Sequence, residues 1–370
     1  MYSLIVTYNL QHVIRVIQVR HSTNLIVDTL FILLTTLNTL GKQAAFNLRS
    51  RRIDGIINII NGRYDFLTSS LGPPSQPSRP YHVEVLKQNA LVMSRLLTLY
   101  HGAIFTCASL WTVFPVVNRS LGKEVEFTGY FPFDTTGTLA FSLALAYMSV
   151  LITFQAYGNV TMDCTIVAFY AQAKIQLKML RYNLEQLVVF TNTKKYSSIK
   201  HQYRDQGEEE TKLQERLKKC VIHYHQIVRS PLSVARFTKE VESIFGEAMV
   251  VQFFVMAWVI CMTVYKIVGL SICSAEFVSM AAYLGCMLAQ LFIYCYFGTQ
   301  LKVESELVNQ SIYCSDWLIL SPRFRRQLLV MMQCCGRPLA PRTAYVIPMS
   351  LDTYIHVLRS SYTLFTFLNR

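Results

Sequence analysis

The sequence contains few charged residues for its length. Asp, Glu, Lys and Arg make up 15% of its 370 residues, whereas 52% of the residues are hydrophobic. A soluble domain carries about 25% charged residues. The composition therefore argues against an ordinary soluble domain and favours a membrane protein that forms one domain over residues 1–370.

The motifs of common metal and catalytic sites are also missing. None of the ten cysteines stands in a C-x-x-C pair, and there is no G-x-S-x-G, H-E-x-x-H or complete phosphate-loop motif. His223 and His225 are two residues apart in a helical pattern, which places their rings on different faces and argues against a shared metal ion. The sequence thus predicts no enzyme, no metal site and no cofactor.

What the sequence does contain is a series of apolar runs. A membrane-spanning helix needs about 20 mostly apolar residues. Seven runs qualify if the first, which is short, is taken as the remainder of a helix whose start is missing: Met1–Val19, Asn24–Phe46, Leu91–Val117, Gly137–Tyr157, Ile244–Leu270, Phe277–Phe297 and Tyr345–Leu368. We predict an all-α membrane protein with seven transmembrane helices, of which the first is partial.

The basic residues lie mainly in alternate loops. Residues 41–90 hold seven basic and three acidic residues, residues 172–246 hold fourteen and eight, and residues 301–342 hold six and three. Residues 117–137 hold only Arg119 and Lys123 against three acidic residues. Because basic loops stay in the cytoplasm, we expect a cytoplasmic N-terminus and an extracellular C-terminus. The net charge of +13 then belongs to the inner membrane face, and a nucleic-acid partner is not expected.

Amphipathic patterns continue into the basic loops. Lys174–Phe190, Leu213–Ser230 and Arg323–Cys335 repeat apolar residues at helical spacing. We expect residues 1–170 and 244–300 to hold mainly transmembrane helices 1–6. Residues 171–243 and 301–344 should then form cytoplasmic helical extensions, and residues 345–370 the last helix.

Aromatic and sulfur-containing residues gather toward the predicted outer halves of several helices. Examples are Phe31, Met148 and Met280, together with the aliphatic Leu145. One interpretation is ordinary helix packing. The other is a pocket for a small apolar ligand, because such pockets are lined by aromatic side chains with a few polar groups.

The last predicted helix carries an unusual number of polar residues. At about 100° per residue, six positions fall within about 80° of one another: Asp352, His356, Arg359, Thr363, Phe367 and Arg370. Charged residues in a membrane helix face protein or water. This polar stripe is expected to face either an ion pathway or a neighbouring subunit, or else to pack within its own subunit.

Three stretches of the chain resemble the insect odorant receptor family. They are Leu40–Ile60, Phe131–Leu180 and above all Tyr313–Leu368, with Ser-Asp-Trp at its start, Arg-Pro-Leu at 337–339 and Ser-Tyr at 361–362. The resemblance covers about residues 24–370. It departs from the family at the start, where the usual cytoplasmic segment and the first half of helix one are absent, so we expect a shortened N-terminus.

The resemblance implies an odorant-gated, non-selective cation channel subunit in the plasma membrane. Its partners would be a small, neutral, volatile odorant and odorant receptor co-receptor subunits in a heterotetramer within the lipid bilayer. Trp111, Cys107 and Ile104 match a family pattern in the ligand pocket wall. The last helix would line the pore with Thr363, Arg359 and Arg370, and Phe367 lies near the position of the family's gate. The arginines would repel cations unless they face a subunit boundary.

Two alternatives remain open at this point. A related gustatory-receptor-like channel would share most of these features, although the Ser-Tyr ending favours an odorant receptor. A secondary transporter would show internal repeats, helix-breaking residues at mid-membrane and paired ionisable groups. The two halves of the sequence show no such symmetry.

Overall fold

The computed structural model of the chain describes residues 2–20, 23–58, 60, 79–122, 127–135, 137–198, 234–269, 274–314, 322–343 and 346–368. Nine helices make up nearly all of this part of the chain. They are α1 (Tyr2–Gln18), α2 (Thr23–Leu48), α3 (residues 50–58), α4 (Arg79–Ser120), α5 (Thr138–Ser198), α6 (Val234–Val268), α7 (Ala275–Tyr313), α8 (Pro322–Cys335) and α9 (Leu351–Leu368). The predicted all-α architecture is confirmed.

Four of the described helices are long and apolar enough to span a membrane by themselves. These segments are Tyr81–Ser120, Thr138–Tyr182, Phe237–Val268 and Phe277–Tyr313. On α4, large apolar side chains such as Leu99 and Phe105 are 75% and 61% exposed, as expected for a surface that contacts lipid. The other predicted spans correspond to α1, α2 and α9; α1 and α9 have 17 and 18 residues.

The longest helix continues well beyond the predicted membrane span. With 61 residues, α5 is about 90 Å long at 1.5 Å per residue. The segment Lys174–Phe190, predicted as an amphipathic extension, lies in this same helix. It is joined to α7 by Arg181, whose Nε donates a hydrogen bond to Glu304 Oε1 over 2.7 Å. The proposed extension at Leu213–Ser230 lies outside the described residues.

A short hairpin precedes the last helix. Strands β1 (Arg342–Thr343) and β2 (Ile347–Pro348) pair antiparallel. The helix was predicted from Tyr345 but begins at Leu351, because the residues before it form this hairpin. Its first turn is held by Ser350, whose Oγ accepts a hydrogen bond from the Thr353 N–H over 3.3 Å.

The main hydrophobic core lies between α2, α5, α6 and α7, and α9 packs on α6 and α7. At Gly298 of α7, an added Cβ would lie 2.1 Å from the carbonyl oxygen of Met349, just before α9. Only glycine permits this approach. Leu351 N–H then donates to Thr299 Oγ1 over 3.0 Å. The start of α9 is therefore fixed against α7.

Candidate ligand-binding cavity

A cavity of about 150 Å³ lies between five helices, α2, α4, α5, α6 and α7. These helices run side by side, so each contributes one strip of side chains to the wall. Most of the lining is apolar, including Ile104, Val160 and Met256. Cavities of this kind are the usual sites for small ligands in helix bundles.

Three aromatic rings from three helices meet in the cavity wall. Phe31 of α2 lies 4.8 Å from Tyr283 of α7 and 6.2 Å from Trp111 of α4, measured between ring centroids. Trp111 and Tyr283 are 5.7 Å apart by the same measure. Aromatic pairs at these separations attract each other beyond their burial alone. This aromatic cluster, Phe31, Trp111 and Tyr283, gives the cavity one rigid apolar side.

Other lining residues carry amides and hydroxyls, and most of these are already paired. Asn38 donates a hydrogen bond to Gln252, which joins α2 to α6. Thr36 donates to Asn9 Oδ1 over 2.7 Å, and Asn159 Oδ1 accepts from Lys42 Nζ over 2.9 Å. Because these groups are occupied by protein partners, they stabilise the wall rather than offer contacts to a ligand.

An ionic cluster adjoins the polar side of the cavity. Lys42 Nζ lies 2.5 Å from Asp163 Oδ1, and the two side chains are 2% and 3% exposed. Tyr294 donates to the same oxygen over 2.5 Å, and Gln290, a cavity-lining residue, donates to Asp163 Oδ2. A buried charge is tolerated when it is paired and hydrogen-bonded. Here α2, α5 and α7 supply opposite charges and two further donors.

Two buried polar side chains of the cavity wall have no hydrogen-bond partner in the described part of the chain. Gln155 of α5 is 3% exposed, and neither its Nε2 nor its Oε1 has a hydrogen-bond partner among the described residues. The Nε1 of Trp111 is likewise unpaired within that part of the chain. Buried polar atoms are usually hydrogen-bonded. These two side chains are therefore buried polar groups of the described wall that remain available to a ligand.

Comparison with known proteins assigns this fold to a family. A family model described as "7tm Odorant receptor" matches residues 22–362. The chain belongs to the odorant receptor family. It is 23% identical to odorant receptor 46a, isoform B, of Drosophila melanogaster over 349 residues, 93% of this chain and 82% of that one. It is 22% identical to odorant receptor Or1 of Anopheles gambiae, over 92% of this chain and 80% of that one.

The fold is also that of a solved insect olfactory receptor. The structure of OR5 from Machilis hrabei in complex with eugenol matches 99% of this odorant receptor and 86% of the OR5 chain, with a TM-score of 0.78 and 16% identity. A second structure of the same receptor, whose description names no ligand, matches with a TM-score of 0.77. The family resemblance of the three sequence stretches is thus confirmed, as is the membrane protein fold.

The structure brings together four of the seven residues predicted for ligand binding. Phe31, Ile104, Cys107 and Trp111 all line the cavity of this odorant receptor. Leu145, Met148 and Met280 are not in its lining. They lie on the same faces of α5 and α7 as the lining residues Ile152 and Tyr283, but roughly 5–10 Å nearer the start of each helix at 1.5 Å per residue.

The surroundings of Met148 show why it does not line the cavity. At the level of Met148, the space beside α5 is filled by α1, and Met148 packs with the buried Tyr8 and Leu151. The cavity therefore begins about one turn further along α5 than the sequence pattern suggested. Gln155 and Tyr283 were not predicted, although the helical spacing from Met148 to Ile152 and Gln155 was visible in the sequence.

Asp163 lies on α5, six residues beyond the end of the predicted span Gly137–Tyr157. Its partners come from α2 and α7 rather than from α5 itself. The presence of Lys42 within a predicted apolar span was the one sequence signal for such a pair, because a lysine there requires a counter-charge.

The described members of the polar stripe on α9 are exposed in the single chain. Asp352, His356, Arg359 and Thr363 all lie on the surface. The buried polar residues of α9 are instead Thr353 and Ser361. The described residues of the same subunit therefore do not bury these four side chains. The side chain of Phe367, and Arg370 as a whole, lie outside the described part of the chain.

Proposed function

We propose that this odorant receptor is the odorant-binding subunit of a ligand-gated, non-selective cation channel that acts with a shared co-receptor in olfactory signalling. The observation that carries the proposal is the cavity enclosed by α2, α4, α5, α6 and α7, together with its aromatic cluster. The ligand is a small, neutral, volatile molecule. An engineered apolar protein cavity of about 150 Å³ binds benzene, which sets the scale of the ligand.

The charge balance of the cavity supports a neutral ligand. The ionisable groups next to it, Lys42 and Asp163, neutralise each other at 2.5 Å. A charged ligand would lose its hydration without gaining a free counter-ion in the described wall. The OR5 receptor of similar fold is described in complex with eugenol, a neutral molecule, which is consistent with this choice.

The helices that form the cavity also hold α9, which gives binding a direct route to the pore. Met256 of α6 lines the cavity, and the carbonyl of the adjacent Ala257 accepts a hydrogen bond from Ser361 Oγ of α9 over 3.3 Å. On α7, the ring of Phe292 lies 5.7 Å from that of Tyr354. A ligand that shifts α6 or α7 therefore moves α9, since packed helices do not deform independently.

We assign the pore to the exposed stripe of α9. Arg359 and Thr363 face away from the subunit, where a tetramer would place its axis or a neighbouring subunit. Phe367 is the candidate gate, because an apolar constriction can close a pore by dewetting. Arg370 lies beyond it at the end of the chain. The loop charges favour a plasma-membrane topology with the N-terminus in the cytoplasm and the C-terminus outside.

The deciding experiment is odorant-evoked current in cells that express the chain with and without the co-receptor. We expect current only when both are present, with a permeability that does not discriminate among monovalent cations. Surface labelling of the chain is the control. Protein at the surface together with the co-receptor, but with no current across a broad odorant panel, would overturn the proposal.

A further inference from the structure

The most informative unassigned feature of the cavity is Gln155. Its side chain is 97% buried, given an exposure of 3%, and it lines the cavity beside Ile152 and Ala156. Both its donor and its acceptor lack a partner among the described residues. Leaving a buried amide in this state is unfavourable, and a simple apolar residue would fill the position at lower cost.

The neighbouring amides do not share this condition. Asn38 and Gln252 bond to each other, Asn159 accepts from Lys42, and Gln290 donates to Asp163. Each has a protein partner in the wall or directly next to it. Gln155 differs from them in that it lines the cavity with a buried amide that has no partner among the described residues.

We infer that Gln155 forms a polar subsite that selects an oxygenated ligand, an alcohol or a carbonyl compound, over a hydrocarbon of the same shape. This inference rests on the proposed odorant-binding function of the cavity. A hydroxyl oxygen accepts a hydrogen bond from Gln155 Nε2–H, and its own proton is donated to Gln155 Oε1. A carbonyl oxygen accepts from Nε2–H alone. The hydrocarbon part packs on the aromatic cluster.

The selectivity follows from the free-energy cost of leaving the Gln155 amide without a hydrogen-bond partner. A hydrocarbon that fills the cavity covers Gln155 and leaves both amide atoms unpaired, whereas an alcohol satisfies them. A site built to hydrogen-bond a hydroxyl discriminates strongly against the analogue without it, because the protein's polar groups are then left without partners. Trp111 Nε1, which also has no partner among the described residues, offers a second donor to a ligand with two oxygen atoms.

The test compares cyclohexanol with methylcyclohexane, which have nearly the same shape and differ in a hydroxyl and a methyl group. The chain is co-expressed with the co-receptor and reconstituted in lipid nanodiscs. The dissociation constants of both compounds are measured by headspace gas chromatography above these nanodiscs. Nanodiscs that carry the co-receptor alone give the background. Only the change in the ratio of the two constants between variants is interpreted, since the two compounds partition differently from water.

In Gln155→Leu, the affinity for cyclohexanol should fall about tenfold relative to the affinity for methylcyclohexane, because the hydroxyl then enters the cavity without a partner. Gln155→Met, which keeps the side-chain length, should show the same loss. Ile152→Leu is the matched control, since it lies one turn earlier on α5 and lines the same cavity. It should change both constants together and keep their ratio within about twofold of wild type.

The outcomes distinguish the proposed Gln155 subsite from the proposed ligand-binding role of the whole cavity. If methylcyclohexane and cyclohexanol both bind and the ratio is the same in wild type, Gln155→Leu and Gln155→Met, the polar subsite is wrong while the cavity remains a ligand site. If neither compound binds to wild type above the background, both the subsite and the ligand-binding role of the cavity are wrong.

Discussion

Lys42 and Asp163 form a buried ion pair that joins α2 to α5, with 2.5 Å between Nζ and Oδ1. Removal of one partner leaves the other charge buried and uncompensated, which costs about 3–5 kcal/mol. We predict that Lys42→Met strongly lowers the thermal unfolding midpoint of the detergent-solubilised protein. Lys42→Met combined with Asp163→Asn should restore much of the loss, because no charge then remains and the Asn oxygen still accepts from Tyr294.

An exposed pair in the same protein serves as the control. Arg49 Nη2 lies 3.0 Å from Glu247 Oε2, but the Glu247 side chain is 82% exposed. Such surface pairs contribute about 0–1 kcal/mol. Glu247→Gln should therefore leave the unfolding midpoint nearly unchanged. Equal unfolding midpoints for Lys42→Met and the double variant would show that the unpaired charge of Asp163 does not cause the loss of stability.

Trp111 provides a direct test of the cavity as the odorant site. Trp111→Ala removes one ring of the aromatic cluster and enlarges the cavity. We predict at least a tenfold loss in potency for the smallest active odorants, because they lose their contacts with the indole ring and leave part of the enlarged cavity unfilled. Larger odorants should lose less, so the ranking of odorants changes. Dose–response curves of odorant-evoked current measure both effects.

The matched control is the same substitution at another tryptophan. Trp258 on α6 is 41% exposed and is not in the cavity lining. Trp258→Ala should keep the odorant ranking of wild type even if it lowers the total current. A ranking that changes with Trp258→Ala and not with Trp111→Ala would move the ligand site away from this cavity.

The helices were predictable because each signal is local. A run of apolar residues or a helical repeat is sufficient to mark α4, α5, α6 and α7, and the extension of α5 through Lys174–Phe190 followed from its periodicity. The hairpin before α9 was not predicted. Its strands have two residues each, which is too short to give an alternating pattern.

The cavity was only partly predictable, since periodicity identifies the face of a helix but not the depth at which a neighbour leaves space. Met148 and Gln155 share a face of α5, yet α1 covers the first through Tyr8 while the second lines the cavity. Likewise, Lys42 and Asp163 are 121 residues apart in the chain, and their pairing depends on how α2 packs on α5.

Gly298 gives a prediction about the attachment of α9. In Gly298→Ala, the new Cβ would lie 2.1 Å from Met349 O and 2.9 Å from Met349 Cβ, so α7 must separate from the segment that starts α9. Overpacking of this kind costs about 1–3 kcal/mol or more. We expect reduced surface expression and a lower unfolding midpoint.

The control for this change lies on the same helix. A Cβ at Gly285 of α7 would meet nothing within 4 Å. Gly285→Ala should keep or raise stability by up to about 1 kcal/mol, because alanine favours the helix over glycine. If both alanine variants behaved alike, the close approach to Met349 would not be a constraint on the fold.

Arg359 tests whether the exposed stripe of α9 lines the ion pathway. Replacing its positive charge removes a local repulsion of cations, so Arg359→Gln should raise cation permeability relative to anions, measured as a shift in reversal potential in asymmetric salt. The odorant ranking should stay the same, since the stripe is not part of the cavity wall.

Ser361→Ala is the matched control for Arg359→Gln, because Ser361 is buried against α6 and its hydroxyl donates a hydrogen bond to Ala257 O. That variant should leave the reversal potential unchanged. An altered odorant ranking in Arg359→Gln with an unchanged reversal potential would place the stripe at a ligand site instead of the pore.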